Sequence, residues 1–414
     1  MIRDTFLPYS LPFIGEDEIA EVVDTLRSGW ISSGPKVKRF EQDFAAYTGA
    51  EHAVAVSSCT AALHVALAAL GIEPNDEVIV PTLTFCSTAN VVTHLGARPI
   101  LVDVDEYGQI SVEAVAAAIT PRTRAIIPVH YSGQACDLNE ILALAKTHGI
   151  EVVQDAAHAA GAEYDGCRIG SHGRVTAFSF YAIKNITTAE GGMLTTSDGD
   201  LAARMRQLSL HGMSRSAWNR YGVSGSWYYE VLEPGYKCNM TDIQAALGIH
   251  QLRRLDDFIA RRQLIASRYR EAFAGFEGIE LPVERPLRNH TYHIFPVRID
   301  SLSLGMDRAE FIQKLQQANI GSSVHFIPLH RHPYYQDTFG YVPEQFPMAE
   351  RIFQGLLSLP LYPKMSDEDV SHVIDTVQTL VHGEVRSQDP PQLSSNVATL
   401  NQASLARGAA PASC

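Results

Sequence analysis

The stretch A-V-A-V-S-S-C-T-A-A-L-H-V-A-L-A-A-L, residues 53–70, passes from a β-branched run to a helical one with only small, mostly hydroxyl residues between them. Strand character ends at Val56 and helical character begins at Ala61, which marks a β–α unit. The alternation continues outward. Glu77–Val80 precedes a helical stretch near Ser87–Leu95. Arg98–Val102, Arg124–Ile127 and Glu151–Gln154 are further strand candidates, with helices near Val112–Ile119 and Leu138–His148 between them. Val175–Phe180 and Gly192–Thr195 read as two more strands with little between. Regular alternation of this kind builds a mostly parallel sheet covered on both faces by helices.

Beyond this region the pattern changes. From Thr241 to Phe273 apolar residues at helical spacing (Ile243, Leu247, Leu252, Leu255, Ile259, Ile265) predict one long helix, of the sort that joins two domains. After Pro282 the reading is α+β: a strand at Tyr292–Ile299, a helix at Arg308–Ala318, a strand at Gly321–Val324 and a closing helix at Asp367–Val381. The expected division is a large domain with an N-terminal helical arm over 1–255, a small C-terminal domain over 256–383, and a disordered tail over 384–414, where periodicity is lost.

The 414 residues carry a net charge of −13, with 46% hydrophobic and 19% charged residues. Such a chain buries a large core. An acidic surface without a Lys/Arg block disfavours nucleic acid and anionic membranes, so an anionic ligand must be held by a local constellation. Met1-Ile2-Arg3-Asp4 is followed by Pro8, Pro12 and Glu16-Asp17-Glu18, which leaves no apolar leader core. Val78–Ala97 is long enough to span a bilayer, but Pro81, Thr82, Asn90 and His94 suit a buried strand–loop–helix passage better. Six cysteines without a C-x-x-C pair suit a reducing compartment. A cytoplasmic protein is expected.

Three segments carry candidate chemistry. The turn Ser57-Ser58-Cys59-Thr60-Ala61 can cap a helix whose free N–H groups and dipole attract phosphate, although an ordinary cap explains it equally well alone. Asp155, in Gln154-Asp155-Ala156-Ala157-His158, ends an apolar strand where open α/β sheets bind ligands; read alone it also suits a turn cap. Lys184 lies beyond a strand among apolar and hydroxyl residues, in S-F-Y-A-I-K-N-I-T-T-A-E-G-G from Ser179 to Gly192. A desolvated amine there has a lowered pKa and attacks aldehydes, whereas an isolated loop lysine is by default a surface residue. Neither a G-x-G-x-x-G fingerprint nor a Walker A sequence is present. His330 and His332 form an H-x-H without supporting Cys, Asp or Glu, so no metal is expected.

Together the three segments supply what pyridoxal 5′-phosphate (PLP) needs: N–H donors for its phosphate, a carboxylate for its pyridine nitrogen and an amine for its aldehyde. At this point the chain resembles the DegT-type family of PLP-dependent nucleotide-sugar aminotransferases, over about residues 8–381. The matching motifs are S-G-W-I-S-S-G-P at Ser28–Pro35, T-A-A-L-H at Thr60–His64, P-T-L-T-F at Pro81–Phe85, V-H-Y-S-G at Val129–Gly133, D-A-A-H-A from Asp155, the Lys184 segment, and G-Y-K-C-N-M-T-D-I at Gly235–Ile243. The resemblance implies an aspartate aminotransferase-like (fold type I) large domain with a seven-stranded sheet and a smaller α+β domain.

It also implies roles. Lys184 would hold PLP covalently and shuttle the proton, Asp155 would pair with the ring nitrogen, and Phe85 would stack on the ring. His158 would lie beside the ring hydroxyl, and Thr60, Ala61 and Ser179 would bind the phosphate. Asn239 would reach the phosphate from the neighbouring subunit of a homodimer. Ser32, Tyr181, Lys237 and His325 would face the substrate. Cys238 stands where relatives more usually carry an aromatic residue, and His211–Glu230, where relatives vary, would help set which sugar fits, although a solvated loop with a few packed aromatics explains any one of its residues equally well.

The expected reaction moves the amino group of L-glutamate, leaving 2-oxoglutarate, to a nucleotide-linked keto-sugar, at C4 of a UDP-4-keto-pentose or 4-keto-6-deoxyhexose. A 3-keto-sugar or cyclitol aminotransferase differs only in regiochemistry. A PLP-dependent sugar dehydratase of this fold would replace Lys184 by His, and a non-catalytic binding homologue would lose Lys184 or Asp155; both residues stand.

Overall fold

The computed structural model describes residues 3–214 and 228–382. The expected tail from 384, and the part of the His211–Glu230 segment between 215 and 227, lie outside the described residues. The strands in chain order are β1 (His52–Val56), β2 (Glu77–Pro81), β3 (Arg98–Val102), β4 (Thr123–Ile126), β5 (Glu151–Asp155), the short hairpin β6 (Glu163–Tyr164) and β7 (Cys167–Arg168), then β8 (Val175–Ser179) and β9 (Gly192–Thr196). Seven of them form one sheet in the order β1-β9-β8-β5-β4-β2-β3. Only β9 runs against its neighbours β1 and β8; every other pairing is parallel.

Parallel strands need a crossover, and the helices Cys59–Ala69, Ser87–His94, Val112–Ala118 and Leu138–His148 supply those from β1 to β5, while the β6–β7 hairpin lies on the one from β5 to β8. An antiparallel neighbour needs only a loop, which is why so little sequence separates β8 from β9. Side chains alternate between the faces: Val54, Val56, Val78, Val80 and Val153 pack in one buried layer, and Ala53, Ala55, Ile79 and Val152 in the other. The Cys59–Ala69 helix lies on the first layer, where Leu63 and Leu67 are fully buried. Each such leucine contributes on the order of 2 kcal/mol.

The N-terminal arm comprises the helices Glu16–Ser28 and Pro35–Thr48. Its attachment joins two sequence motifs. Asp242 is buried, and its carboxylate accepts N–H bonds from Gly34 (2.8 Å), Val37 (2.9 Å) and Lys36 (3.1 Å), capping the Pro35–Thr48 helix from another part of the chain. A Cβ at Gly34 would lie 1.8 Å from the Trp30 indole, so only glycine fits that turn.

The long helix expected over Thr241–Phe273 is two helices, Asp242–Arg253 and Leu255–Phe273. The break at Arg254 (φ −100°, ψ 0°) turns its guanidinium onto the buried Glu18 at 3.1 Å and over the Phe13 ring. One interrupting residue hardly disturbs apolar spacing, so periodicity read straight through it.

The C-terminal region forms β10 (Ile279–Glu280), β11 (Arg288–Asn289), β12 (Phe295–Ile299) and β13 (Leu356–Leu359). β10, β12 and β13 make a three-stranded antiparallel sheet, while β11 joins the β6–β7 hairpin. The strand expected from Tyr292 starts only at Phe295, because Tyr292 takes φ +48°, which extended chain cannot accommodate. The strand expected over Gly321–Val324 is no ladder strand. Its backbone divides its bonds between Leu7 on one side (Gly321 N–H to Leu7 O, 2.8 Å) and Ser358 on the other. A buried cluster including Leu7, Tyr269, Phe295, Phe311, Leu357 and Val373 holds this sheet against the Leu255–Phe273 and Asp367–His382 helices. Among the described residues no helix is long and apolar enough to cross a membrane.

Candidate active site

β5 and β8 are parallel neighbours in which Asp155 pairs with Ala177, so Asp155 and Ser179 end up at the same carboxyl edge of the sheet. A cleft of about 400 Å³ opens there. The turn after β1 contributes Ser58, Cys59 and Thr60; the end of β5 contributes Asp155 and His158; the β8–β9 segment contributes Ser179, Tyr181 and Lys184. Phe85 comes from the turn after β2, and His293, His325 and Phe326 from the C-terminal half.

Asp155 is only 4% exposed. The Ala157 N–H donates to its Oδ1 (3.1 Å) and the Thr88 hydroxyl to its Oδ2 (2.9 Å). Thr84 lies 2.9 Å from that hydroxyl and continues the chain of donors. Burial pushes the carboxyl pKa up, while the Ala157 N–H, Thr88 and the Lys184 charge push it down. A carboxylate so placed is fixed in orientation and awaits a cationic or N–H partner.

Lys184 sits in a loop held by its own hydroxyls and glycines. Its backbone N–H donates to Tyr181 O (2.9 Å), the Thr188 N–H to Phe180 O (2.9 Å), and the Thr188 hydroxyl to Glu190 O (2.6 Å). A Cβ at Gly192 would meet Ser58 O at 2.4 Å, and one at Gly191 would meet Thr188 Oγ1 at 2.1 Å. The glycine pair therefore lets the lysine loop close against the start of the Cys59–Ala69 helix. Burial lowers the Lys184 amine to about 8, against the attraction of Cys59 and Asp155. It is neutral far more readily than a surface lysine.

At the helix start, Ser58 Oγ accepts the Ala61 N–H (3.0 Å). Cys59 and Thr60 are left as the first-turn N–H donors with no intrahelical acceptor. Ala61 thus contributes to the turn through its cap and does not line the cleft.

His158 and His293 are buried at 6% and 4% exposure, with ring centroids 4.4 Å apart. The Nδ1 atoms of both have no partner among the described residues. Burial, reinforced by Lys184, pushes both imidazoles well below their ordinary pKa. His325 Nδ1 lies 3.0 Å from Ser358 Oγ, and burial lowers this histidine to about 4. Phe85 is 56% exposed, its ring 5.8 Å from Phe326.

Of the sequence-derived candidates, the cleft gathers Thr60, Phe85, Asp155, His158, Ser179, Tyr181, Lys184 and His325. Ser32, Lys237 and Asn239 form a separate group outside its lining. Lys237 Nζ donates to Asn239 Oδ1, Asn239 Nδ2 donates to Ser33 Oγ (2.7 Å), and the Asp242 N–H donates to Ser32 O (3.0 Å). Sequence reasoning did not single out Thr88, His293 or Phe326. Thr88 had a signal, a hydroxyl one residue inside a helix following P-T-L-T-F; His293 and Phe326 come from distant segments with none.

The residues present fit PLP. Two orphaned imidazole nitrogens, a carboxylate already hydrogen-bonded on both oxygens, an amine near neutrality and a helix N-terminus converge on one cleft. With the mostly parallel seven-stranded sheet, this defines a fold type I PLP-dependent aminotransferase. The chain belongs to the DegT/DnrJ/EryC1/StrS aminotransferase family, whose model matches residues 12–378. It is 56% identical over 384 residues to the spore coat polysaccharide biosynthesis protein SpsC of Bacillus subtilis (strain 168), covering 92% of this chain and 98% of SpsC. The structure of Spr1654 from Streptococcus pneumoniae in its PLP form superposes with a TM-score of 0.85 at 37% identity, covering 92% of this chain and all of that one (100%). Helicobacter pylori PseC, an aminotransferase involved in the biosynthesis of pseudoaminic acid, superposes with a TM-score of 0.85 at 26% identity over 92% of this chain and 100% of PseC. This chain is accordingly a sugar aminotransferase with PLP as its cofactor.

Proposed function

We propose that this enzyme moves the amino group of L-glutamate onto a nucleotide-linked keto-sugar, at C4 of a UDP-4-keto-pentose or 4-keto-6-deoxyhexose. The observation that carries the reading is Lys184: a desolvated amine at the sheet edge, in one cleft with a buried, doubly hydrogen-bonded Asp155. PLP, when bound, supplies an electron sink for negative charge developing at the carbon that bears the transferred nitrogen.

The chain's own residues do the rest. The Lys184 amine takes the proton from Cα of glutamate in the first half-reaction and returns one to the sugar carbon in the second; its lowered pKa leaves it a base near neutral pH. Asp155 holds a proton on the ring nitrogen, and Thr88 and Ala157 keep the carboxylate aimed. Cys59 and Thr60 offer phosphate their N–H groups, with Ser179 beside them. Phe85 covers a ring face, and His158 with Phe326 closes the inner wall against water. Ser32, Lys237 and Asn239 serve the neighbouring cleft of a homodimer, which accounts for their clustering outside the lining of their own. The name of SpsC supports a product destined for a surface polysaccharide.

The test has two stages. PLP-loaded enzyme given L-glutamate alone should release one 2-oxoglutarate per site and stop. Addition of a UDP-4-keto-sugar should then yield the UDP-4-amino-sugar, identified by mass spectrometry and NMR. Amination only of a 3-keto-sugar would move the reading to its regiochemical alternative, and no release of 2-oxoglutarate would end it.

A pH dependence follows from the same amine. Only neutral Lys184 adds to an aldehyde, and burial disfavours its charged form, so capture of PLP by cofactor-free protein should accelerate as pH rises through about 8. Stopped-flow growth of visible absorbance measures it. A rate that climbs only toward about pH 10.5, the ordinary lysine value, would show that the amine is not desolvated.

A further inference from the structure

The lysine, the aspartate and the helix start all belong to the large sheet layer, but one wall of the cleft does not. His293 arrives on the irregular segment just before β12, and Phe326 from beyond Gly321. Between them lies His158, its ring 4.4 Å from His293, 5.7 Å from Phe326 and nearly parallel to the latter at 28°. His293 is itself anchored. Arg262, a fully buried guanidinium on the Leu255–Phe273 helix, donates through Nη1 to the carbonyls of His293 (3.1 Å), Tyr292 (3.3 Å) and Leu361 (2.9 Å). The neighbouring Thr291 hydroxyl lies 3.3 Å from the carbonyl oxygens of both Gly133 and His158, tying this segment to the His158 backbone. No carboxylate pairs with Arg262 among the described residues; its role is to hold backbone.

We infer that His293 is a positioning residue for the cofactor: braced by Arg262, it packs against the His158 ring and fixes the orientation in which His158 meets the coenzyme. The inference rests on the proposed placement of His158 beside PLP, and it adds the part that the C-terminal half plays. The unpaired Nδ1 atoms of the two rings face no competing protein acceptor among the described residues. The ring orientations are therefore set by packing, and removal of one ring leaves the other free to turn. The charged and titratable groups around the pair are Lys184 from the β8–β9 loop, Asp155 at the end of β5, Tyr131 from the turn after β4, His325 from the C-terminal half and Arg262 from the long helix. Burial, reinforced by the Lys184 charge, keeps both rings neutral, so a changed ring position alters a hydrogen bond and not a net charge.

The test uses the full chain reconstituted with PLP. His158→Ala, His293→Ala, His293→Gln and the double Ala variant are compared for PLP dissociation constant and for the pH midpoint of the visible absorbance band. His293→Ala should weaken PLP binding about ten-fold and displace the midpoint, and adding His158→Ala to it should cost little more. His293→Gln, which keeps a polar group of similar reach but no ring, should behave like His293→Ala. If His158→Ala changes both readouts while His293→Ala and His293→Gln change neither, the positioning role is wrong and the placement of His158 survives. If His158→Ala changes neither, both are wrong.

Discussion

Lys184→Ala should lose turnover by at least about 10⁴-fold, because in the proposed mechanism one side chain supplies both the covalent tether and the proton transfer. That loss corresponds to more than about 5 kcal/mol of transition-state stabilisation. The absorbance of the covalently bound cofactor should vanish with it, while the proposed phosphate turn and Asp155 should still retain PLP reversibly. The fold should survive the change. Burying an ammonium has a cost, and the folded-state pKa of about 8 lies below the ordinary 10.5, so the unfolded chain binds the extra proton between those values. Lys184 therefore destabilises the cofactor-free protein fully below about pH 8, and the penalty fades as pH rises toward 10.5. Cofactor-free Lys184→Ala should accordingly melt higher than the parent at neutral pH, with the advantage disappearing in alkali. Residual turnover within ten-fold of the parent would remove the lysine from the chemistry.

Asp155→Asn should cost turnover on the order of 10³-fold, about 4 kcal/mol, while binding of PLP weakens far less. The amide keeps the shape, its one oxygen can still accept from the Ala157 N–H while its NH2 donates to the Thr88 hydroxyl, but it would not keep a proton on the ring nitrogen. Thr88→Val is the control. It removes one of two donors and leaves the charge, so its effect should stay near ten-fold, the range of a single hydrogen bond to a charged group. Single-turnover release of 2-oxoglutarate separates the two. If Asp155→Asn and Thr88→Val lose equal activity, orientation alone matters and the proton-holding role is wrong.

The sheet and the convergence of Asp155 and Lys184 on the candidate site were legible in the sequence because both are local. Val54–Val56, Val78–Val80 and Val152–Val153 announce strands by β-branching; Asp155 closes such a run and Lys184 lies a few residues beyond another, so strand ends and candidate chemistry could be read together. The rest depends on contacts distant in the chain. Arg254 breaks a helix through Glu18, hundreds of residues away, and Tyr292 is turned out of a strand by a positive φ that no periodicity records. His293 and Phe326 line the cleft from segments more than a hundred residues along the chain from Lys184. Asn239 and Lys237 matched a family motif, yet their place outside the cleft is legible only in three dimensions.

The single reversed strand in the large sheet bears on how this enzyme can change. Both ends of the segment carrying Lys184 are fastened into one hairpin, Ser179 opposite Gly192, while Asp155 hangs from the adjacent rung. A residue inserted or deleted within that segment would displace the amine by up to about 3.3 Å without disturbing any ladder. Descendants can therefore retune or abolish the chemistry by small length changes while the scaffold remains intact, and a survey of engineered indels there should recover many well-folded but inactive proteins.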